Sequence, residues 1–384
     1  MRVLLLGASG VCGSVALRHL CLSKGVDEVV AADIRPLRAG MLVKKLGLDK
    51  ARTLKLDISD RGSLAEAMKD ADVVANATPY IYNLHVMEAA LEARRSLTDL
   101  GGMFYTTREQ MKRSRDFEEA GLTVLMGCGL APGIADVLAK KGAEHVDAVE
   151  SIHIYYGEVN FTPALYKWSF RALLDELTLR PVIYKDGKFV QCPPMSGKEY
   201  FDFPEPVGTR LCVYSVYSGV ATLPLTVGKG VKLVEAKYGF SDTGRLEAVV
   251  EALGALGLLS EEPVRVGDVE VRPRDLLLSC APPAEPEVED AVSVVVIVRG
   301  RKDGDLVEAR YSLVQGFHRV WRASALAYLT GLSLSLATQM LGSGEVEARG
   351  VLSLEGAVEP DRFLRLLKHE GLRIEEEIKV RREL

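Results

Sequence analysis

RVLLLGASGVCGSVALRHLCL, residues 2–22, decides the fold. The apolar run Val3–Leu6 passes straight into glycines at 7, 10 and 13, and SVALRHLCL then carries apolar residues at helical spacing. A strand that turns on glycine into a helix lets backbone N–H groups approach a pyrophosphate, while the helix aims its positive end at the charge. The spacing is Gly-x-x-Gly-x-x-Gly, a variant of the commoner fingerprint with Ser9 in place of its second glycine. Asp33 stands 33 − 13 = 20 residues past the last glycine, at the end of the next apolar run, where a carboxylate accepts hydrogen bonds from an adenosine ribose. These features predict a nicotinamide-dinucleotide site built from Gly7, Ser9, Gly10, Val11, Cys12 and Asp33. Asp33 favours NAD because a carboxylate repels a 2′-phosphate; Arg35 pairs with such a phosphate and keeps NADP open.

Five further apolar runs follow: EVVAADI (28–34), RTLKLDI (52–58), DVVANAT (72–78), SLTDL (96–100) and TVLMGC (123–128). Helical stretches such as GSLAEAMKDA (62–71) and NLHVMEAALEARR (83–95) separate them. Near-continuous apolar strands alternating with helices predict an α/β fold over residues 1–130, a Rossmann domain with a doubly wound parallel sheet. Ligands of such sheets gather beyond the carboxyl ends of the strands. Asp57 and Ile58 are therefore expected to bracket the adenine, and Thr78 and Pro79 to lie near the nicotinamide, with Asp99 closing the fifth strand. Each polar residue among them also suits the N-cap of the next helix.

After a helix predicted at about 133–145 the texture changes. VESIHIYYGEV (149–159) is extended, IYKDGKFV (183–190) holds Asp186-Gly187 between two extended runs, and AVSVVVIVRG (291–300) pairs with LVEARYSLV (306–314) around Asp303-Gly304. Residues 131–316 read as an α+β substrate and dimerisation domain with a mainly antiparallel sheet and helices near 243–256 and 272–279. APPAEPEVEDA (281–291) is a Pro/Glu-rich connector too short to free one domain from another. SALAYLTGLSLSLATQML (324–341) is apolar nearly all round, so residues 317–384 are expected to fold back on the Rossmann domain through a buried helix.

Composition narrows the function classes. Lys+Arg 48 against Asp+Glu 53 gives a net charge of −5 with the basic residues scattered, which argues against a nucleic-acid or anionic-membrane surface. The apolar run at the N-terminus is too short for a signal peptide or a membrane span, and a cytoplasmic location is expected. Six cysteines at 12, 21, 128, 192, 212 and 280 show neither Cys-x-x-Cys pairs nor histidines at ligand spacing, so neither a metal nor a disulfide framework is expected. Cys128, closing a strand, is the one thiol placed where chemistry could reach it. A homodimer is expected, because long strands such as AVSVVVIVRG have edges that proteins pair or cover.

Several blocks resemble the saccharopine dehydrogenase-like oxidoreductases, and the resemblance spans essentially the whole chain. They are GASGVCG (7–13), PYIYNLHVMEAALEA (79–93) followed by Asp99, GCGLAPGIADVLA (127–139), IYYGEVNFTPALYKWSFR (154–171) and ALAYLTGLSLSLATQMLGSGEVEARGVLSLE (325–355). Within that family the chain looks most like the shorter L-lysine 6-dehydrogenases. Ala131 stands where saccharopine reductases usually carry aspartate, and Glu158 where the pattern generally has a second glycine. The resemblance implies an amino-acid substrate. Arg171 matches a substrate-contacting position, and its guanidinium suits a bidentate grip on a carboxylate. Trp168 is expected to wall the pocket, and Asp99, His85 and Tyr155 are the candidate bases, with His318 near the last long helix as another group that could approach.

The expected reaction is NAD-dependent oxidative deamination of L-lysine at its ε-amine to 2-aminoadipate 6-semialdehyde. The alternatives are a saccharopine reductase, a carboxynorspermidine-type reductase, and, from a different class, a non-catalytic NAD-binding regulator.

Overall fold

A computed structural model describes residues 1–382 apart from positions 165, 283, 285 and 286. Seven strands form the first sheet: β1 (Arg2–Leu6), β2 (Glu28–Asp33), β3 (Ala51–Lys55), β4 (Val73–Asn76), β5 (Leu97–Asp99), β6 (Thr123–Met126) and, from far along the chain, β17 (Gly350–Ser353). Their order is β17-β6-β5-β4-β1-β2-β3, with every pair parallel. The chain order therefore reverses beside β1, and the crevice above that reversal is where a dinucleotide belongs. Leu4, Leu6, Val30 and Val74 face one apolar cluster and Val3, Leu5, Val29 and Val73 the other. Burial on both faces is what lets these strands be apolar without alternation.

The second sheet holds β7 (Ala148–Asn160), β8 (Val182–Lys185), β9 (Lys188–Gln191), β10 (Glu199–Asp202), β11 (Thr209–Tyr214), β12 (Leu233–Gly239), β15 (Asp290–Lys302), β16 (Asp305–Gly316) and β18 (Ile374–Arg381). Its main path runs β10-β11-β12-β7-β15-β16-β18 and is antiparallel except where β12 meets β7. A separate hairpin, β13 (Val264–Val266) with β14 (Val269–Val271), projects between the helices Thr243–Ala255 and Pro273–Cys280. Both predicted hairpin turns are present, with Asp186 and Asp303 at φ 47 and 52 and a glycine after each. β15 lies between β7 and β16, so AVSVVVIVRG has no free edge; the main path ends instead at β10 and β18.

The helix Ala325–Gly342 returns to the first domain. Gly331 lets it touch the first helix, Val11–Leu22, for a Cβ there would stand 2.5 Å from the Cys12 carbonyl oxygen. Two of its polar residues tie it to the first domain: Thr338 bonds Thr98 at 2.7 Å and Ser335 bonds His19 at 2.8 Å. No helix among the described residues is long and apolar enough to cross a membrane. After this helix the chain supplies one edge strand to each sheet, β17 and β18, where helices alone were expected.

Candidate active site

The glycine turn after β1 has the shape a pyrophosphate needs. Gly7 sits at φ +76, and a Cβ on it would approach the Ala77 carbonyl oxygen to 2.8 Å. At Gly13 a Cβ would stand 2.1 Å from the Gly7 carbonyl oxygen, so the helix can begin this close to the strand only without a side chain. Ser14 N–H, bonded to the Gly10 carbonyl at 2.9 Å, is the first donor of the helical ladder, which leaves the N–H groups of Val11, Cys12 and Gly13 at the positive end. The residues present therefore fit a dinucleotide's diphosphate.

Ser9 and Asp33 stand somewhat differently from expectation. Ser9 N–H donates to Asp33 Oδ2 at 2.9 Å and Ser9 Oγ to the Arg35 carbonyl at 3.0 Å, so both Ser9 donors brace the turn against the end of β2. Asp33 Oδ1 accepts the Arg35 N–H at 2.9 Å, and each oxygen keeps a lone pair for ribose hydroxyls. The Cys12 thiol, bonded to Thr330, is pushed up to about 12 by burial and contributes through its backbone alone. Asp57 lies beyond β3 and caps a local turn, accepting from Ser59 N and Oγ at 2.9 and 2.7 Å; Ile58 packs on the apolar cluster beneath. Thr78 donates twice to Asn76 Oδ1, at 3.1 and 2.6 Å, holding the β4 exit open ahead of Pro79.

Asp99 is enclosed. Its Oδ1 accepts from Gly101 N at 2.7 Å and Gly127 N at 3.1 Å, and its Oδ2 from Gln110 Nε2 at 2.7 Å. Burial raises its pKa while these bonds lower it. The carboxylate ties the exits of β5 and β6 together and offers no surface to a substrate. Replacing it, Asp99→Ala, removes the acceptor of three N–H donors, and a stability loss of about 2–4 kcal/mol is expected in a denaturant titration. Cys128 is likewise shut in, its N–H on the Asp99 carbonyl at 2.8 Å and its thiol on the Leu125 carbonyl at 3.4 Å, which corrects the expectation that chemistry could reach it.

Tyr155 and Tyr156 separate across the second sheet because neighbouring residues of a strand point to opposite faces. Tyr155 stacks on Phe201 at 3.9 Å in the apolar cluster on the far face, away from the crevice. Tyr156 faces the first domain, and its hydroxyl bonds Ser215 Oγ and lies 3.5 Å from Glu176 Oε1. Glu176 is on the helix Phe170–Thr178 and also accepts Val216 N–H at 3.2 Å. The Val216 carbonyl in turn receives Phe104 N–H at 3.1 Å, so the cluster sits directly on the segment leaving β5. Burial pushes the Glu176 carboxyl up to about 7, against the bonds from Ser215, Val216 and Tyr156 that hold it down.

The other candidates divide. Arg171 lies on the same helix as Glu176, one-third exposed, with Asp275 at 3.7 Å. Asp175, next to Glu176, accepts the Tyr80 hydroxyl at 2.7 Å and pairs with Arg274. Since Tyr80 directly follows Thr78-Pro79, the structure brings the β4 exit against the Arg171 helix. Trp168 stacks near Tyr238, with ring centroids 6.2 Å apart. His85 sits in the first turn of the helix Asn83–Ala93 with its Nε2 buried and without a partner, and among the described residues nothing connects it to this cluster. His318 accepts the Trp321 N–H at 3.1 Å and packs on Tyr328 at 4.1 Å, bracing the approach to the 325–342 helix.

Glu158 is answered by a buried cation. Its carboxylate meets Lys167 Nζ at 2.7 Å and the Tyr238 hydroxyl at 2.9 Å, and Lys167 also meets Asp290 at 2.8 Å. Asp290 Oδ1 accepts the N–H of Ala325 at 2.6 Å, which fixes the start of the last long helix. Burial works against charge on Lys167, yet the two carboxylates more than offset it and raise its pKa. This triad positions the loop that carries Trp168 and leads into Arg171.

A glycine turn opening a parallel Rossmann sheet, followed by a second domain built on a mixed sheet, is the architecture of a two-domain dehydrogenase that uses a nicotinamide dinucleotide. The chain belongs to the saccharopine dehydrogenase family: the family's NADP binding domain matches residues 3–125 and its C-terminal domain residues 129–372. Carboxyaminopropylagmatine dehydrogenase of Synechocystis sp. is 23% identical over 397 residues, covering 97% of this chain and 96% of that protein. Carboxynorspermidine synthase of Vibrio cholerae is 24% identical over 414 residues, again 97% and 96% of the two chains. The L-glutamate-forming, NADP-dependent saccharopine dehydrogenase of Saccharomyces cerevisiae is 29% identical over 217 residues, 53% of this chain and 47% of that one. The apo structure of the yeast enzyme shares the fold with a TM-score of 0.73 at 21% identity, covering 98% of this chain and 99% of that one.

Proposed function

We propose that this oxidoreductase acts on the carbon–nitrogen bond of an amine that carries an amino-acid carboxylate, with Glu176 as its acid–base group. The observation that carries the reading is the Glu176 carboxyl, raised to about 7 and held by Tyr156, Ser215 and Val216 beside the β5 exit. A group titrating near neutrality can both give and take a proton at working pH. A nicotinamide bound over the glycine turn supplies or accepts the hydride. In the reducing direction the protonated Glu176 gives its proton to the imine nitrogen, the carbon gains the hydride, and a secondary amine results. In the oxidising direction the Glu176 carboxylate takes that proton back as the carbon–nitrogen double bond forms. Arg171 holds the substrate carboxylate through two N–H groups, and Trp168 with Tyr238 packs its aliphatic stem. We assign to Glu176 the role first sought at Asp99, His85 or Tyr155, since burial raises its carboxyl to about 7 and Tyr156, Ser215 and Val216 hold it beside the β5 exit.

Secondary-amine substrates are favoured by the two relatives that match over nearly the whole chain, a carboxynorspermidine synthase and a carboxyaminopropylagmatine dehydrogenase. Oxidative deamination of L-lysine is the second reading, favoured by Ala131 in place of the aspartate usual in saccharopine reductases. For the coenzyme, Asp33 favours NAD, whereas Arg35 and Lys55, exposed where β2 and β3 end, suit a 2′-phosphate. Absorbance at the reduced-nicotinamide band, followed with NAD and NADP against saccharopine, carboxynorspermidine and L-lysine, decides among them. Turnover of a secondary amine is expected; turnover of lysine alone supports the second reading, and coenzyme binding without any turnover leaves a regulator.

A further inference from the structure

A cavity of about 10 Å³, room for one water-sized sphere, lies where the exit of β6, the helices Ile134–Ala143 and Gly219–Thr226 and the end of β17 converge. Two carboxylates line it. Asp136 is 2% exposed and Glu355 1%. The groups bonded to them are donors: the Tyr217 hydroxyl at 2.8 Å and Gly133 N–H at 2.9 Å to Asp136, and the Ser353 and Thr226 hydroxyls at 2.6 and 3.1 Å to Glu355 Oε1. Glu355 Oε2 accepts no hydrogen bond among the described residues. Lys140 comes near, but it gives its ammonium to the Glu355 backbone carbonyl at 2.6 Å and pairs with no carboxylate among the described residues. Gly219 makes room for the Asp136 carboxylate, for a Cβ there would stand 2.2 Å from Oδ1.

Burial and the charge of Glu355 push the Asp136 carboxyl well up, so the pair calls for one positive charge, brought by a proton or by an ion. Two features decide for the ion. A shared proton fills no space, yet the cavity is there. Ser218, 3% exposed and on the same wall, has a hydroxyl oxygen with no hydrogen-bond partner among the described residues, and a proton held between the carboxylates would leave it so. A water would satisfy Ser218 and leave the charge unanswered. We propose that this cavity binds one alkali cation, sodium or potassium, through the Asp136 and Glu355 carboxylates and the Ser218 and Thr222 hydroxyl oxygens. Bound there, it ties the helix Ile134–Ala143, the helix Gly219–Thr226 and the segment after β17 at one point. The charge count sets the valence: Lys140 and the positive end of the helix Ile134–Ala143 already offset part of the two negative charges. Calcium would also require six or more oxygens, and no group of three His, Cys, Asp or Glu that could hold a metal is gathered among the described residues.

Thermal unfolding of the full-length protein in sodium or potassium chloride, against choline chloride at the same ionic strength, tests this. A saturable rise in melting temperature of about 3–5 °C is expected with at least one alkali ion and none with choline, whose bulk the cavity excludes. Ser218→Ala removes one oxygen from the ion and is expected to raise its dissociation constant about 10-fold, so that the rise saturates at higher salt. Glu355→Gln keeps an acceptor for Ser353 and Thr226 while removing one charge. In choline it is expected to melt at or above the temperature of the native protein, because the unanswered repulsion is gone, and the rise with alkali ions should vanish. A carboxylate that served only as a hydrogen-bond acceptor would leave the response to ions unchanged. Native protein that melts alike in all three salts, as a shared proton predicts, or a rise undiminished in either variant, overturns the proposal, and neither result bears on the reaction assigned above.

Discussion

Glu176→Gln is expected to lower turnover of the preferred amine by about 10²- to 10⁴-fold while leaving the melting temperature and coenzyme affinity close to those of the native protein. The amide keeps the size of the side chain, and its oxygen still accepts Val216 N–H, now bonded to Glu176 Oε1 at 3.2 Å. What it loses is the exchangeable proton. The pH profile separates this from a structural effect. Burial raises the Glu176 carboxyl from its ordinary value to about 7, so it is protonated below that pH and ionised above. Imine reduction needs the acid form, and kcat/KM in that direction is expected to fall above about pH 7. Amine oxidation needs the carboxylate and should rise through the same pH, then continue upward as the substrate amine, with a pKa of about 10.4 when unperturbed, loses its proton. In the Gln variant the step near 7 should vanish in both directions. A native profile without that step, or a variant that keeps it, would remove Glu176 from the reaction.

Gly13→Val should abolish coenzyme binding. The new Cβ would stand 2.1 Å from the Gly7 carbonyl oxygen, a backbone atom with no freedom to yield. The first helix must therefore move away from β1, taking the N–H groups of Val11 to Gly13 with it. An increase of at least about 100-fold in the dissociation constant for either coenzyme, some 3 kcal/mol, is the expected reading by fluorescence titration. Gly47→Ala is the matched control: Gly47 also has a positive φ, +59, but a Cβ there meets nothing within 4 Å. That change should cost about 1 kcal/mol of stability through backbone strain and leave coenzyme binding intact. Native affinity in Gly13→Val would place the dinucleotide elsewhere.

The predicted base shows where the reading of residues ran out. FRALLDELT, residues 170–178, has Leu173, Leu174 and Leu177 on the buried side, and Glu176 lies three residues from Leu173, beside that face. A carboxylate at the margin of an apolar stripe was the available signal, but on a sequence it looks the same as one turned to solvent. Tyr155 and Tyr156 differ by one position, and strand alternation says that they part company without saying which of them meets the coenzyme domain. Asp99 at a strand's carboxyl end suited catalysis by position; N–H groups from Gly101, from Gly127 beyond β6 and from Gln110 on the helix Phe104–Met111 make it structural instead.

The sequence by itself determined the parallel sheet, the dinucleotide turn, both Asp-Gly hairpins and the buried character of the 325–342 helix. Each of these follows from the spacing of apolar residues or from the conformational needs of glycine within a few positions, and so is written locally. Only the tertiary structure decided that β17 completes the first sheet and β18 the second, that Lys167 neutralises Glu158, and that Glu176 faces the β5 exit. Those are pairings between segments tens to hundreds of residues apart, and a local pattern records that a side chain is buried or charged without recording which distant partner satisfies it.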